Sequence, residues 1–140
     1  MTATTASTAA HPNAPAARGQ GQTIDLLGKI ALIEGHWQPR VVAEMNDYQF
    51  KVVKLAGEFV WHSHADTDET FIVLEGELRI ETREGPIVVR AGQLAVVPKG
   101  AEHKPCAMGE VKLLLIEPRG VANTGDGARS ERTVQNDLWI

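Results

Sequence analysis

His62 and His64 stand one residue apart, Glu69 follows five positions after His64, and His103 lies downstream behind a Pro98-Lys99-Gly100 turn. In an extended chain the side-chain period is two, so this spacing predicts that His62 and His64 share one face. Gathering imidazoles and a carboxylate in one buried place without a shared cation would be costly. The pattern therefore predicts a metal site with His62, His64, Glu69 and His103 as ligands. Three nitrogens and one oxygen, with no thiolate, suit a divalent transition metal ion (Fe, Mn, Ni, Co, Cu or Zn) and argue against calcium or magnesium, which prefer all-oxygen shells. Four protein ligands would close a tetrahedral site, whereas an octahedral ion would keep two positions for water or substrate. The catalytic residues are unknown at this level. Glu58 and Glu102, close to the ligands in sequence, are the candidates for an acid or base.

Other groups carry blander readings. His11 and His36 lie outside the pattern and are read as ordinary histidines. Asp66-Thr67-Asp68 resembles the start of a calcium loop with Glu77 at the twelfth position, but its sixth position is Phe71 where that loop needs glycine. Ser63 lacks the strand-turn-helix elbow of a hydrolase nucleophile. Cys106 reads as a small buried filler. Tyr48, Phe50, Phe59 and Trp61 read as barrel wall, with Phe50 and Phe59 the exceptions that would face a ligand. Lys99 and Lys104 are expected in solvent, and parity places no basic residue inward, Lys54 being the one exception it allows.

The segments around the four residues read Gly57, four residues, His62-Ser63-His64, four residues, Glu69, six residues, Gly76, and then Gly92, five residues, Pro98-Lys99-Gly100, two residues, His103. This closely resembles the two signature motifs of the cupin superfamily, small β-barrels whose metal is held by three histidines and a glutamate. The fifteen residues from Glu77 to Ala91 between the motifs are similar to the short spacer of small single-domain cupins of bacterial type. Two positions depart: the family usually has one more residue between the first glycine and the first histidine, and Ala107 stands where the second motif usually carries asparagine. Neither is a ligand position. The resemblance implies a jelly-roll type antiparallel β-barrel, a small-molecule substrate or ligand and, as is common among small cupins, a homodimer. It extends to the mannose-6-phosphate isomerase family in the barrel only.

The elements that must position these residues are legible independently of that likeness. Ile24, Leu26, Leu27, Ile30 and Ala31 recur at helical spacing, predicting a short N-terminal helix over 25–33 capped by Thr23 or Asp25. Short β-rich runs follow, separated by Gly, Pro and Asn/Asp turns: 39–44, 50–55, 58–62, 69–74, 77–81, 86–90, 94–97, 103–106 and 112–117. With no βαβ alternation, the pattern predicts an all-β antiparallel sandwich or barrel. If His62 and His64 face inward, so does Val60, and from Glu69 onward Phe71 and Val73 supply an apolar floor.

The chain has 140 residues and a net charge of −4, enough to bury about two-thirds of its unfolded surface in one core, with no basic balance to attract nucleic acid. One cysteine allows no internal disulfide. No apolar run approaches the roughly 20 residues needed to span a bilayer, so no membrane partner is expected. Residues 1–22, rich in Ala, Thr, Ser, Pro, Gly and Gln, are expected to be a disordered tail. Lacking the apolar segment of a secretory leader and the arginines of a presequence, they point to a cytoplasmic protein. Residues 23–118 are expected to form the barrel domain. Residues 119–140 are expected to be an extension whose apolar end, Leu138-Trp139-Ile140, docks on the barrel wall or across a subunit boundary. Three functions fit: a metal-dependent enzyme acting on a small polar organic molecule, by an oxygenase, isomerase or lyase reaction; a sugar-phosphate isomerase; or a non-catalytic module that binds a small ligand or metal.

Overall fold

The computed structural model describes residues 19–126, 130, 133–134 and 137–140. Most of the expected tail, His11 within it, and most of the charged run 129–132 lie outside the described residues.

Helix α1 spans Leu26–Ala31 and is shorter than the predicted 25–33. Asp25 caps it by accepting a hydrogen bond from the Gly28 amide at 3.1 Å. Seven strands follow among the described residues: β1 Arg40–Met45, β2 Tyr48–Glu58, β3 Glu69–Glu75, β4 Glu77–Thr82, β5 Gly85–Arg90, β6 Leu94–Val97 and β7 His103–Pro118. All strand pairs are antiparallel, in the order β1-β2-β7-β3-β6, with β4 pairing both β5 and β7. This is the jelly-roll type all-β fold with a short N-terminal helix. No helix among the described residues is long and apolar enough to cross a membrane.

Two strand predictions need correction. The run 58–62 is not a strand of its own: β2 ends at Glu58 after a register shift between Leu55 and Gly57, where Gly57 takes a φ of 78°. The runs 103–106 and 112–117 are one sixteen-residue strand, β7. Its first part pairs β4 and the end of β2, its second part pairs the rest of β2 and β3, and the two are joined through the exposed Met108-Gly109-Glu110 step. Sequence patterning splits β7 there because the polar, glycine-containing step looks like a turn.

The sheet buries apolar residues on both sides. Val53, Leu55, Phe71, Val73, Leu78, Ile80, Leu113 and Leu115 fill the barrel interior, whereas Val52 and Leu114 face outward under Ile30 and Ile33 of the helix segment. The C-terminus lies on the same outer wall. Trp139 bridges Val41, Ile140 packs on the outer cluster, and the Lys29 ammonium donates to the Ile140 carbonyl at 3.3 Å.

Candidate functional site

The histidine segment is held by a few isolated hydrogen bonds instead of a ladder. His62 and His103 exchange backbone hydrogen bonds in both directions, at 3.0 and 2.9 Å, and the Gly100 amide donates to the His64 carbonyl at 2.8 Å. The two histidines thus point alike although 59–64 is not a strand, with Trp61 exposed between half-buried Val60 and buried His62. Gly100, at φ 81°, completes the turn that delivers His103, and Asp68 fixes that turn by accepting from the Lys99 amide at 2.8 Å. Glu69 opens β3 with its side chain inward beside Phe71 and Val73, as the alternation requires.

The structure brings all four predicted residues together. One ligand-type atom from each of His62, His64, Glu69 and His103 lies within 4.8 Å of the others, and all four are buried. The nitrogens Nδ1 of His62 and His103 donate to the carbonyls of Val60 and Ala101 at 2.8 and 2.9 Å. This sets the tautomer that leaves Nε2 as a lone pair. The Nε2 of His103 then lies 3.1 Å from Glu69 Oε2. Two lone pairs facing one another at that distance need a proton or a cation between them. His64 makes the same point: both ring nitrogens are buried without a hydrogen-bond partner, and Nε2 lies 3.3 Å from the same Glu69 oxygen without hydrogen-bond geometry. These are the donors a transition metal ion takes, and they fit one.

Charge in the cluster is finely divided. Burial, then the nearby His103, depresses His62 to about 4. Burial also pulls His64 down, but the adjoining Glu69 carboxylate outweighs it and leaves His64 raised. Burial works against an ionised Glu69, and contacts with His103 and then His64 overcome it, holding the carboxyl well below its usual range.

A pocket open to solvent lies beside the cluster and includes His62 and Glu69 in its lining. Its walls are mainly apolar, from Trp37, Phe59, Phe71, Leu113 and Leu115. Phe59 lines it, whereas Phe50 packs in the outer cluster. Glu102 pairs with Arg83 at the surface, and Glu58 is exposed 3.5 Å from Lys104. Neither appears in the pocket lining. Cys106 is buried, Lys104 half-buried and Lys99 exposed, while His36 meets Glu110 at 2.9 Å near the surface.

Several pocket features were not expected from sequence. Trp37 adopts a φ of 61°, donates from Nε1 to the Ala56 carbonyl at 2.8 Å, and stacks on Phe59 with ring centroids 4.7 Å apart. The inward base is Lys51, not Lys54. Lys51 is 2% exposed and sits 2.8 Å from Glu117 Oε1, whereas Lys54 is half-buried. Burial, and after it the Glu69 charge, pushes Glu117 above its ordinary range against the pull of Lys51. The segment 122–126 also reaches the site. Asp126 donates from its amide to the Ser63 carbonyl at 3.0 Å and accepts from the Ala65 amide through its carboxylate.

Comparison with known proteins gives a consistent answer. The Cupin domain family profile matches residues 50–117. A cupin-2 domain containing protein from Shewanella frigidimarina NCIMB 400 is 59% identical, with a TM-score of 0.67 over 69% of this chain and 94% of that one. Protein NMB1881 from Neisseria meningitidis is 35% identical, with a TM-score of 0.63 over 69% of this chain and 99% of its own. YdbB of Bacillus subtilis (strain 168), an uncharacterized protein, is 41% identical over 64 residues, which make up 45% of this chain and 57% of that protein. Nearly the whole of a cupin-2 domain protein is thus matched at 59% identity, and this chain belongs to the cupin superfamily, similar to its small single-domain members.

Proposed function

We propose that this cupin is a metal-dependent enzyme acting on a small organic molecule, with His62, His64, Glu69 and His103 holding one divalent transition metal ion. The observation that supports this best is Glu69 Oε2 lying within 3.3 Å of two imidazole nitrogens, one of which has its other nitrogen committed to a carbonyl. A bound ion would supply Lewis acidity, or redox chemistry if it is iron or another redox-active metal. The protein's part is to set the histidine tautomers through Val60 and Ala101, to keep the site buried, and to orient an organic body against the Trp37 and Phe59 rings. The apolar walls favour a substrate less polar than the sequence alone suggests.

A sugar phosphate fits less well. A phosphate wants a free arginine or lysine or a helix N-terminus. Lys51, the inward base, is engaged by Glu117, and no arginine or lysine lines the pocket among the described residues. A passive metal-binding role would leave the adjoining pocket without a use.

We also infer a homodimer. Leu94 and Val96, 61% and 49% exposed, lie on β6 at the end of the sheet order and continue the outer apolar row of Ile72 and Leu74. An exposed apolar row on an edge strand is a natural subunit contact.

Elemental analysis of protein purified without added metal tests the metal centre. One first-row transition ion per chain is expected, lost in a His62→Ala/His103→Ala double variant. A wild-type chain that neither carries nor takes up such an ion would overturn the reading.

A further inference from the structure

Among the described residues, Glu117 is the one buried carboxylate near the site that the metal cluster does not use. It is 2% exposed and lines the pocket, with Oε1 held by Lys51 at 2.8 Å and Oε2 buried without a hydrogen-bond partner. Its position follows from register. Thr70 lies opposite Ile116 across β3 and β7, so the next step toward the site sets Glu69 beside Glu117 on the inner face. Lys51 reaches it from β2, where Gln49 is its cross-strand partner. A buried carboxylate oxygen with no partner is costly and uncommon in a native fold. Such an atom, on a residue that lines a pocket, is accounted for when a ligand completes it.

Resting on the reading of this pocket as a substrate site, we propose that Glu117, held by Lys51, is a binding residue that takes a hydroxyl group of a small, largely apolar substrate beside the metal-ligand cluster. The chemistry selects the class. The Lys51 ammonium already balances the carboxylate, so an ammonium-bearing ligand is not demanded. A hydroxyl can both donate and accept and so completes Oε2 whichever partner role the carboxyl takes. The apolar walls from Trp37, Phe59, Phe71 and Leu113 suit a hydrocarbon or aromatic body. A substrate of this kind would present its hydroxyl to Glu117 and a neighbouring oxygen to the cluster.

Phenol and toluene, nearly equal in size and differing in the hydroxyl, probe this directly by ligand-observed NMR titration of chelator-treated full-length protein. Phenol is expected to bind at least tenfold more tightly than toluene. The preference should vanish in a Lys51→Met/Glu117→Leu double variant, which removes both charges together. As a measurement independent of that variant's folding, phenol and not toluene should shift the carboxyl carbon resonance of Glu117 in the wild-type protein. A preference below tenfold, no measurable binding of either probe, an unmoved Glu117 resonance, or a preference that survives in the folded double variant would each overturn the assignment. Because no metal is present in this experiment, its failure would leave the metal centre standing, and a failed metal titration would leave this result intact.

Discussion

The Asp126 amide donates to the Ser63 carbonyl at 3.0 Å, so a residue 63 positions downstream fixes the backbone between His62 and His64. Gly125 makes the approach possible. It has a φ of 70°, and a β-carbon there would overlap the Ser63 carbonyl oxygen and press on the His62 ring. Gly125→Ala should therefore displace the histidine segment. Strain at this φ alone is worth about 1 kcal/mol or more, and the overlap adds to it. The expected outcome is a β-rich circular dichroism spectrum close to wild type, with metal affinity at least tenfold weaker by titration. Unchanged affinity would mean that segment 122–126 does not position His62 and His64.

The cluster's protonation makes a second prediction, with the sign set by each histidine. In the metal-free protein His64 is raised above its unfolded value of 6.5. The stability it contributes is therefore complete below about pH 6.5 and is lost as pH rises through the folded value. His62, depressed from 6.5 to about 4, acts in the other direction. Its unfolded form takes up a proton first, so stability falls by roughly 3 kcal/mol as pH drops from 6.5 towards 4. Metal binding needs His64 neutral and so must release its proton. Below the His64 value affinity should rise about tenfold per pH unit, with about one proton released per ion. Calorimetry in buffers of different ionisation enthalpy measures that release. Glu69→Gln should lower the His64 pKa in the metal-free protein, seen by NMR titration, because the carboxylate is what raises it. No proton released at pH 6 would contradict the scheme.

Most of this was legible from sequence because strand period and motif spacing survive local irregularity. His62 and His64 converge although 59–64 is not a strand: a pair of backbone hydrogen bonds with His103 and one from Gly100 keep the segment extended. Lys51 was not legible for a physical reason. Val52 and Val53 are both buried, one under the helix segment and one in the barrel, so β2 shows no polar-apolar alternation from which parity can be read. Asn123, which lines the pocket, and Asp126 lie in a turn-rich stretch whose composition looks solvated. Only the fold brings that stretch back over the site, and nothing local in the sequence marks it.

The outer row on β6 yields a prediction about assembly. Leu94→Asp/Val96→Asp places charges on an exposed edge strand, where the cost to the monomer is small because neither side chain is buried. Light scattering coupled to size exclusion should show a dimer for the wild-type chain and a monomer for the variant, with the melting temperature of the monomer reflecting the lost association. A wild-type monomer, or a variant that remains dimeric, would remove this row from consideration as the contact.

The Lys51–Glu117 pair offers a separate stability test, since both side chains are almost fully buried, at 3% and 2% exposure. Lys51→Met strands the Glu117 carboxylate, and breaking a buried pair from one side costs about 3–5 kcal/mol. Asp137 deepens the penalty, because its Oδ1 lies 3.9 Å from the same ammonium and would lose that neighbour too. Replacing both members by apolar side chains of similar size removes the desolvation cost along with the attraction, which is often neutral or stabilising. Chemical denaturation should therefore rank Lys51→Met well below wild type and Lys51→Met/Glu117→Leu near or above it. A double variant as unstable as the single one would mean that the pair is part of the packing itself. The stability cost of its buried carboxylate then could not be the sign of a ligand site.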